Sequence, residues 1–160
     1  MNETENIVLD YLKTQNIEYE KFDIDPNFSD TQNFCTKYKF SLDQSANTII
    51  LESKRPKGLY AVAVVRASKK LDVNKKLKNI MGVKKLSFAN AAKSEEITGM
   101  QVGGITPFGL SHKFKIYFDE GLKISKKIVF GGGSRNFKIL IEPKYLTNIP
   151  NSQFLDITES

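Results

Sequence analysis

The 160-residue sequence predicts an α+β domain in which helices flank a mixed, mostly antiparallel β-sheet or partial barrel. Some segments repeat apolar residues at helical spacing, whereas others alternate or are apolar over the length of a strand. The predicted helices and strands do not alternate regularly, and several strands follow one another near the end of the chain, which is typical of α+β proteins. With 40% hydrophobic and 26% charged residues, the composition is that of a globular domain.

The helices are predicted from apolar spacing and from capping residues. They are expected at residues 3–14, 29–39, 73–82 and 90–99. Ser29 and Gln32 have the spacing of a capping box at the start of the second helix. Asp72 is suited to cap the third helix, and Gly82 marks its end.

The strands are predicted from runs rich in β-branched and aromatic residues. They are expected at residues 17–24, 47–53, 59–67, 83–89, 113–120, 126–133 and 136–143. The second and third of these runs are the most apolar and are separated by a short turn, which favours the centre of the sheet. A short helix or turn is expected to begin at Pro143, and a loose tail is expected after Pro150. No linker or repeat divides the chain, so we expect one domain over residues 1–160.

The charge of the chain permits a polyanionic partner. There are 24 Lys and Arg residues against 18 Asp and Glu residues, which gives a net charge of +6. Clusters such as SKKLDVNKKLK would suit RNA, but a solvated lysine-rich surface gives the same count. Acidic residues near the first Met argue against a secretory signal, and no apolar run is long enough to cross a membrane. A lone cysteine is consistent with a reducing compartment, so we expect the cytoplasm.

The residues that usually carry enzyme chemistry are sparse. His112 is the only histidine and Cys35 the only cysteine, so a metal site of nitrogen and sulfur ligands is not expected. We interpret His112 as a loop residue and Cys35 as a small core residue. The segment GGGSRNFK lacks the ending of a phosphate-binding P-loop. No metal and no cofactor are therefore expected.

Two glycine-rich stretches remain, VGGITPFG at 102–109 and GGGS at 131–134. Glycine permits positive φ and allows a ligand to come close to backbone N–H groups. Such stretches often form tight turns and nothing more. A loop whose amides point into a cleft can also bind an ester carbonyl and stabilise the negative charge that develops on its oxygen. The local pattern leaves both interpretations open.

Five segments, taken in order, resemble the YbaK family: DQSANTIIL, AVAVVRASKKLDVNKKLKNIMG, ITGMQVGGITPFGL, IYFDEGL and VFGGGSRNFKILIEP. This family is similar to the insertion domain of bacterial prolyl-tRNA synthetase and to its free-standing relatives, which hydrolyse mischarged tRNA. The resemblance covers residues 20–147. It implies a cytoplasmic aminoacyl-tRNA deacylase that acts in trans on the acceptor end of a mischarged tRNA. An aminoacyl-tRNA synthetase is a further candidate partner.

The resemblance also implies a set of site residues. Those expected to act on the ester are Asn47, Gly103, Gly104, Ile105, Thr106 and Pro107. Those expected to border the substrate are Arg66, Asp119, Gly131, Gly132, Gly133 and Ser134. Weaker candidates for contacts with tRNA phosphates are Lys69, Lys70, Lys75 and Lys76, although solvent-facing lysines are the more frequent explanation.

Position 47 departs from the family pattern. Many relatives have a lysine there, next to a hydroxyl residue, whereas this chain has Asn47. Asparagine can hydrogen-bond a ribose or a carbonyl, but it supplies no fixed positive charge. The alternative function is therefore a non-catalytic module that retains the editing fold and binds RNA or a synthetase.

Overall fold

The computed structural model describes residues 1–160 and contains two β-sheets flanked by helices. The helices are α1 (Glu3–Thr14), α2 (Thr31–Tyr38), α3 (Lys78–Met81) and α4 (Ala91–Thr98). The strands are β1 (Glu20–Asp23), β2 (Ala46–Arg55), β3 (Lys57–Arg66), β4 (Lys85–Phe88), β5 (Lys115–Asp119), β6 (Ile128–Gly131), β7 (Phe137–Ile141) and β8 (Ser152–Leu155). None of the helices combines the length and the apolar character that are needed to cross a lipid bilayer.

The strand pairing confirms the predicted α+β class with a mixed, mostly antiparallel arrangement. One sheet has the order β1-β7-β6 and is antiparallel throughout. The other has the order β4-β2-β3-β5-β8, in which β2 pairs antiparallel with β3 and β4. The remaining pairs, β3 with β5 and β5 with β8, are parallel. A bridge between Ser45 and Val129 joins the two sheets beside the start of β2.

The main core lies between the sheets and under α1. Its fully buried side chains include Val64 and Phe118 from the larger sheet, Phe130 and Ile139 from the smaller sheet, and Leu12 from α1. A second cluster covers the other face of the larger sheet, and a third packs α2 on the outer face of the smaller sheet. The smaller sheet is therefore covered on both faces, which buries residues that point in either direction from β7.

The helix predicted over residues 73–82 is confirmed at both ends, and its second half is α3. The Asp72 carboxylate accepts a hydrogen bond from the Lys75 N–H at 3.0 Å, and Gly82 ends the helix with φ of +66°. Its first turn, Val73–Leu77, is wider than an α-helix and has π-type hydrogen bonding.

The capping box predicted at Ser29 is wrong. Helix α2 begins at Thr31, with Asp30 in the capping position. The Ser29 side chain is fully buried, and its hydroxyl donates to the Gly103 carbonyl oxygen at 2.7 Å. The Ser29 hydroxyl thus donates to a distant carbonyl instead of accepting from a local backbone N–H, because the glycine-rich loop packs against the start of α2.

The loose tail predicted after Pro150 is also wrong. Residues 152–155 form β8, which pairs parallel with β5 at the edge of the larger sheet. Ile157 is fully buried, and its N–H donates to the Asp119 carboxylate at 3.1 Å. Nothing in the short polar segment before β8 signals this pairing, because its partner strand lies more than thirty residues earlier in the chain.

Replacement of Ile157 by alanine should lower the free energy of unfolding by about 2–5 kcal/mol, because it removes a fully buried side chain and leaves a cavity. Urea unfolding measures this effect. Gln153→Ala, at an exposed position of the same segment, is the matched control and should change stability by less than about 0.5 kcal/mol. Equal stability of the two variants would show that the C-terminal segment does not hold the fold together.

Candidate active site

A cleft of about 260 Å³ opens where the start of α2, the start of β2, the 102–105 loop, the end of β6 and the start of β7 meet. Of the residues expected to form the site, the cleft brings together Asn47, Gly103, Ile105 and Gly131. Asp30, Thr31, Thr48 and Lys138, which the sequence analysis did not single out, also line it. The cleft therefore combines polar side chains with a stretch of glycine-rich backbone.

Arg135 anchors the loop to the chain just before α2. Its guanidinium donates to the Val102 carbonyl oxygen at 2.9 Å and to the Pro26 carbonyl oxygen at 3.0 Å. It also forms a two-point ion pair with Asp30, at 3.0 and 3.3 Å. A planar guanidinium has several N–H donors, so it can bind two carbonyl oxygens and a carboxylate at the same time. Hydrogen bonding to Arg135 lowers the pKa of Asp30, so this carboxylate stays ionised near neutral pH.

The carbonyls that follow in the loop are fixed as well. The Gly103 carbonyl oxygen accepts from the Ser29 hydroxyl at 2.7 Å and from the Lys138 ammonium at 2.9 Å. The Gly104 carbonyl oxygen accepts from the Gly133 N–H at 2.7 Å. These contacts set the planes of successive peptide groups.

The fixed carbonyls leave two N–H groups free at the cleft. In a trans peptide the N–H points opposite to the preceding carbonyl. The Gly103 N–H therefore points away from Arg135, and the Ile105 N–H points away from Gly133. Neither N–H donates to any group of the chain, although both residues line the cleft. They are the donors that a carbonyl or an oxyanion in the cleft could use.

The glycines are needed for close approach and, at Gly103, for the backbone conformation. Gly103 has φ of +91°, which side-chain-bearing residues rarely adopt. A Cβ on Gly104 would overlap the Ser134 carbonyl, and one on Gly131 would lie 2.6 Å from the Gly104 carbonyl oxygen. The two glycine-rich stretches thus pack backbone against backbone, and both interpretations of them apply: they form tight turns, and they leave amides at a cleft.

Several residues expected at the pocket lie beside it or behind it. Gly104, Thr106 and Pro107 are buried in the loop and do not line the cleft. Positions 132 and 133 face Phe137 and α1, since a Cβ there would meet Phe137 and Val8. Gly132 and Gly133 therefore support the wall from behind.

Ser134 is turned toward α1. Its hydroxyl donates to the Glu5 carboxylate, which also accepts from the Asn136 side chain at 3.0 Å and from the Asn2 backbone N–H at 2.8 Å. Burial alone would raise the pKa of Glu5, but these hydrogen bonds outweigh it and lower that pKa. The expectation that Ser134 faces the pocket is corrected: it joins the glycine-rich wall to α1.

Asp119 and Arg66 are likewise placed outside the cleft. The Asp119 carboxylate accepts from the N–H groups of Gly121 at 2.9 Å and of Ile157 at 3.1 Å, so it holds the end of β5 to the C-terminal segment. Arg66 ends β3, and its guanidinium lies 3.7 Å from the Asp43 carboxylate. Neither residue lines the cleft.

The four lysines expected to contact RNA differ in their surroundings. Lys76 donates to the Asp156 carboxylate and to the Thr158 carbonyl oxygen, at 3.0 and 2.6 Å, so it ties the C-terminal segment to the helical turn before α3. Lys69, Lys70 and Lys75 are exposed. Contact of these three with tRNA stays a prediction.

Asn47 lies at the start of β2 with one half of its amide engaged. Its Oδ1 accepts from the Thr31 hydroxyl at 2.6 Å, which fixes the orientation of the side chain at the cleft. Its Nδ2 donates to no group within the chain. Asn47 therefore offers a neutral donor beside the two backbone N–H groups.

Lys138 is the functional candidate that the sequence analysis missed. It lies on β7 and is only 5% exposed, and its ammonium donates to the carbonyl oxygens of Ser29 and Gly103 at 2.7 and 2.9 Å. Burial, helped by the positive charge of Arg135, lowers its pKa from the ordinary value of 10.5 to about 8. The available signal was a lysine inside the apolar run FKILI, which is unusual for a strand covered on both faces.

A family model for the aminoacyl-tRNA editing domain matches residues 25–149. The chain belongs to this family. The match includes every residue that lines the cleft, so the site described above is part of the editing domain.

Relatives and a solved structure agree with this membership. The chain is 32% identical over 97 residues to EbsC of Enterococcus faecalis, a candidate Cys-tRNA(Pro)/Cys-tRNA(Cys) deacylase, over 61% of this chain and 58% of EbsC. It is 30% identical over 133 residues to YwhH of Bacillus subtilis, over 76% of this chain and 84% of YwhH. A crystal structure of a candidate trans-editing enzyme for prolyl-tRNA synthetase superimposes with a TM-score of 0.82 at 18% identity, covering 100% of this chain and 99% of the other. The superposition shows that the editing fold is shared.

The lowered pKa of Lys138 should be visible in the stability of the protein. Between about pH 8 and 10.5 the unfolded chain keeps a proton on this lysine that the folded protein has lost, so the free energy of unfolding should rise with pH. At about 1.4 kcal/mol per pH unit the rise amounts to about 3 kcal/mol. Urea unfolding of the wild type and of Lys138→Met across this interval isolates the effect, since all other titrating groups are shared. Parallel curves for the two proteins would contradict it.

Proposed function

We propose that this editing-domain protein is a deacylase that hydrolyses, in trans, the ester bond of mischarged aminoacyl-tRNA. The observation that carries the proposal is the pair of unengaged N–H groups of Gly103 and Ile105 at a cleft that also presents the free amide donor of Asn47. Backbone donors arranged in this way favour a carbonyl whose oxygen becomes negative. The name of EbsC and the family description support an ester at the end of tRNA as the source of that carbonyl.

The reaction needs few groups from the protein. The oxygen of a water molecule bonds to the ester carbonyl carbon, and the carbonyl electron pair moves onto the carbonyl oxygen. The N–H groups of Gly103 and Ile105 stabilise this oxyanion. When the intermediate collapses, the bond to the ribose oxygen breaks, and that oxygen takes up a proton in exchange for the one the water has released. The products are the amino acid and a tRNA with a free terminal hydroxyl.

The absence of a nucleophilic triad does not conflict with this chemistry. An aminoacyl ester is already activated, so orientation of water and substrate together with oxyanion stabilisation supplies much of the acceleration. Asn47 orients the acceptor end, because its free Nδ2 can donate to a ribose or ester oxygen while Thr31 holds its Oδ1. The substrate partner in this proposal is the acceptor end of a mischarged tRNA.

The volume of the cleft favours small amino acids. Ala46, Ile49, Val102 and Ile105 provide its apolar surface, and about 260 Å³ must also accommodate part of the terminal nucleotide. An added methylene changes binding by only about 1–3 kcal/mol, so larger amino acids are rejected mainly by exclusion.

The proposal is tested with tRNAs charged with alanine, serine, cysteine or threonine, by following loss of the ester in single-turnover reactions. We expect hydrolysis of one or two of the four. Asn47→Ala should lower kcat/KM by about 10-fold to 100-fold, since one hydrogen bond to the substrate is lost. Gln153→Ala, on β8 and outside the cleft, is the control and should retain the wild-type rate.

Other outcomes lead to a different function. If no ester is hydrolysed but tRNA is bound at moderate salt, the alternative function is favoured, a non-catalytic module that binds RNA or a synthetase. The absence of a charged residue at position 47 is consistent with that function. Gly104→Val is unsuitable as a test of the backbone N–H donors, because the valine side chain would overlap the Ser134 backbone and disturb the fold.

A further inference from the structure

Lys138 carries a positive charge at the cleft that no carboxylate neutralises directly. The ion pairs of the chain do not include it, so no carboxylate oxygen lies within 4 Å of its ammonium. The one carboxylate that lines the cleft, that of Asp30, is engaged by Arg135. The cleft therefore has an excess of positive charge on the β7 side.

The donors of Lys138 are not all used within the chain. An ammonium group has three N–H donors. Two of them go to the carbonyl oxygens of Ser29 and Gly103, and the Phe34 ring of α2 covers the ammonium from a centroid distance of 5.3 Å. One N–H is left without an acceptor, on a residue that lines the cleft.

A buried ammonium in this state favours an anion as ligand. Removing it from water is unfavourable, and two neutral carbonyls offset this cost only in part. The charged or titratable groups that face it are Arg135 from the loop before β7, Asp30 at the start of α2 and Cys35 on α2. Burial and Arg135 lower the pKa of Lys138, whereas Asp30 and Cys35 oppose that change. A bound anion would reverse the effect of burial.

We infer that Lys138 is an oxyanion-binding residue of the cleft, whose third N–H donates to a negatively charged oxygen of the substrate. The inference rests on the proposed function and adds to it the charge that Asn47 does not supply. Two substrate oxygens have this chemistry. The phosphodiester of the terminal nucleotide is charged already when the substrate binds, whereas the ester carbonyl oxygen becomes negative only during the reaction.

Lys138 also has a structural role, since it helps to hold the Gly103 carbonyl. The two roles respond differently to pH. A neutral amine keeps two N–H donors, enough for the carbonyls of Ser29 and Gly103, but it has lost its charge and its third donor. Stability is expected to rise, not fall, as the amine deprotonates. A loss of activity above about pH 8 would therefore reflect the missing charge and not a loosened loop.

The test compares the wild type with Lys138→Met and Lys138→Arg in the deacylation assay, over pH 6.5–9.5 and with the uncatalysed hydrolysis subtracted. We expect Lys138→Met to lose about 100-fold or more at pH 7, the effect of removing one oxyanion donor. A loss in kcat identifies the ester oxygen as the ligand, and a rise in KM identifies the phosphodiester. Wild-type activity should decline above about pH 8, whereas Lys138→Arg should retain its activity, because a guanidinium stays protonated.

Matched controls separate other titrations from that of Lys138. The amino group of the substrate titrates identically for every variant, so it cancels in the comparison of wild type with Lys138→Arg. Cys35→Ala removes the thiol that faces Lys138, and the decline of activity with rising pH should persist in this variant. Circular dichroism establishes that each variant is folded.

A second measurement does not depend on catalysis. The trinucleotide CCA, which carries the phosphodiesters of the acceptor end, is added while the Lys138 Cε resonance is titrated by NMR. A phosphodiester beside the ammonium should raise the pKa of Lys138, and Asn47→Ala should not abolish that rise. An active wild type whose Lys138→Met variant is equally active, with no change in the titration, would overturn the inference and leave the proposed function intact. An inactive wild type would instead count against the proposed function, and the titration alone would then decide the role of Lys138.

Discussion

The site depends on the hydrogen bonds that fix the backbone carbonyls of Val102, Gly103 and Gly104. Each accepts from a group outside the loop: the Arg135 guanidinium, the Ser29 hydroxyl together with the Lys138 ammonium, and the Gly133 N–H. A peptide group is planar, so a fixed carbonyl also fixes the N–H attached to the same bond. The loop thus presents unpaired backbone donors at the cleft, and the cost of holding them is met when the protein folds.

The anchors come from every part of the structure that surrounds the loop. Ser29 precedes α2, Arg135 lies just before β7, and Lys138 lies on β7. The contact of Ser134 with Glu5 attaches the neighbouring glycine-rich stretch to α1. Backbone packing at Gly104 and Gly131 leaves no space for even a methyl group. A loop held from several directions keeps its geometry in the absence of substrate, which is the condition under which oxyanion donors are most effective.

The electrostatics of the cleft follow from the same contacts. Arg135 engages Asp30, and the pairing leaves Lys138 as the cation without a direct counter-ion. The uncharged Asn47 on β2 and the charged Lys138 on β7 face one cleft from two different sheets. Because the two sheets are joined beside Ser45, the charge and the neutral donor line one small space.

The sequence by itself determined the α+β class, most of the helices and strands, the two glycine-rich stretches and the family. These follow from local spacing, capping and motif order, which depend on residues near one another in the chain. Only the tertiary structure decided that Ser29 binds Gly103 instead of capping α2, that residues 152–155 form a strand, and that Ser134 and Asp119 serve the fold instead of the cleft. It also decided that Lys138 is part of the site. In these cases the hydrogen-bond partner of a polar group comes from a segment far away in sequence. The energy of burying such a group depends on that partner and not on its neighbours along the chain.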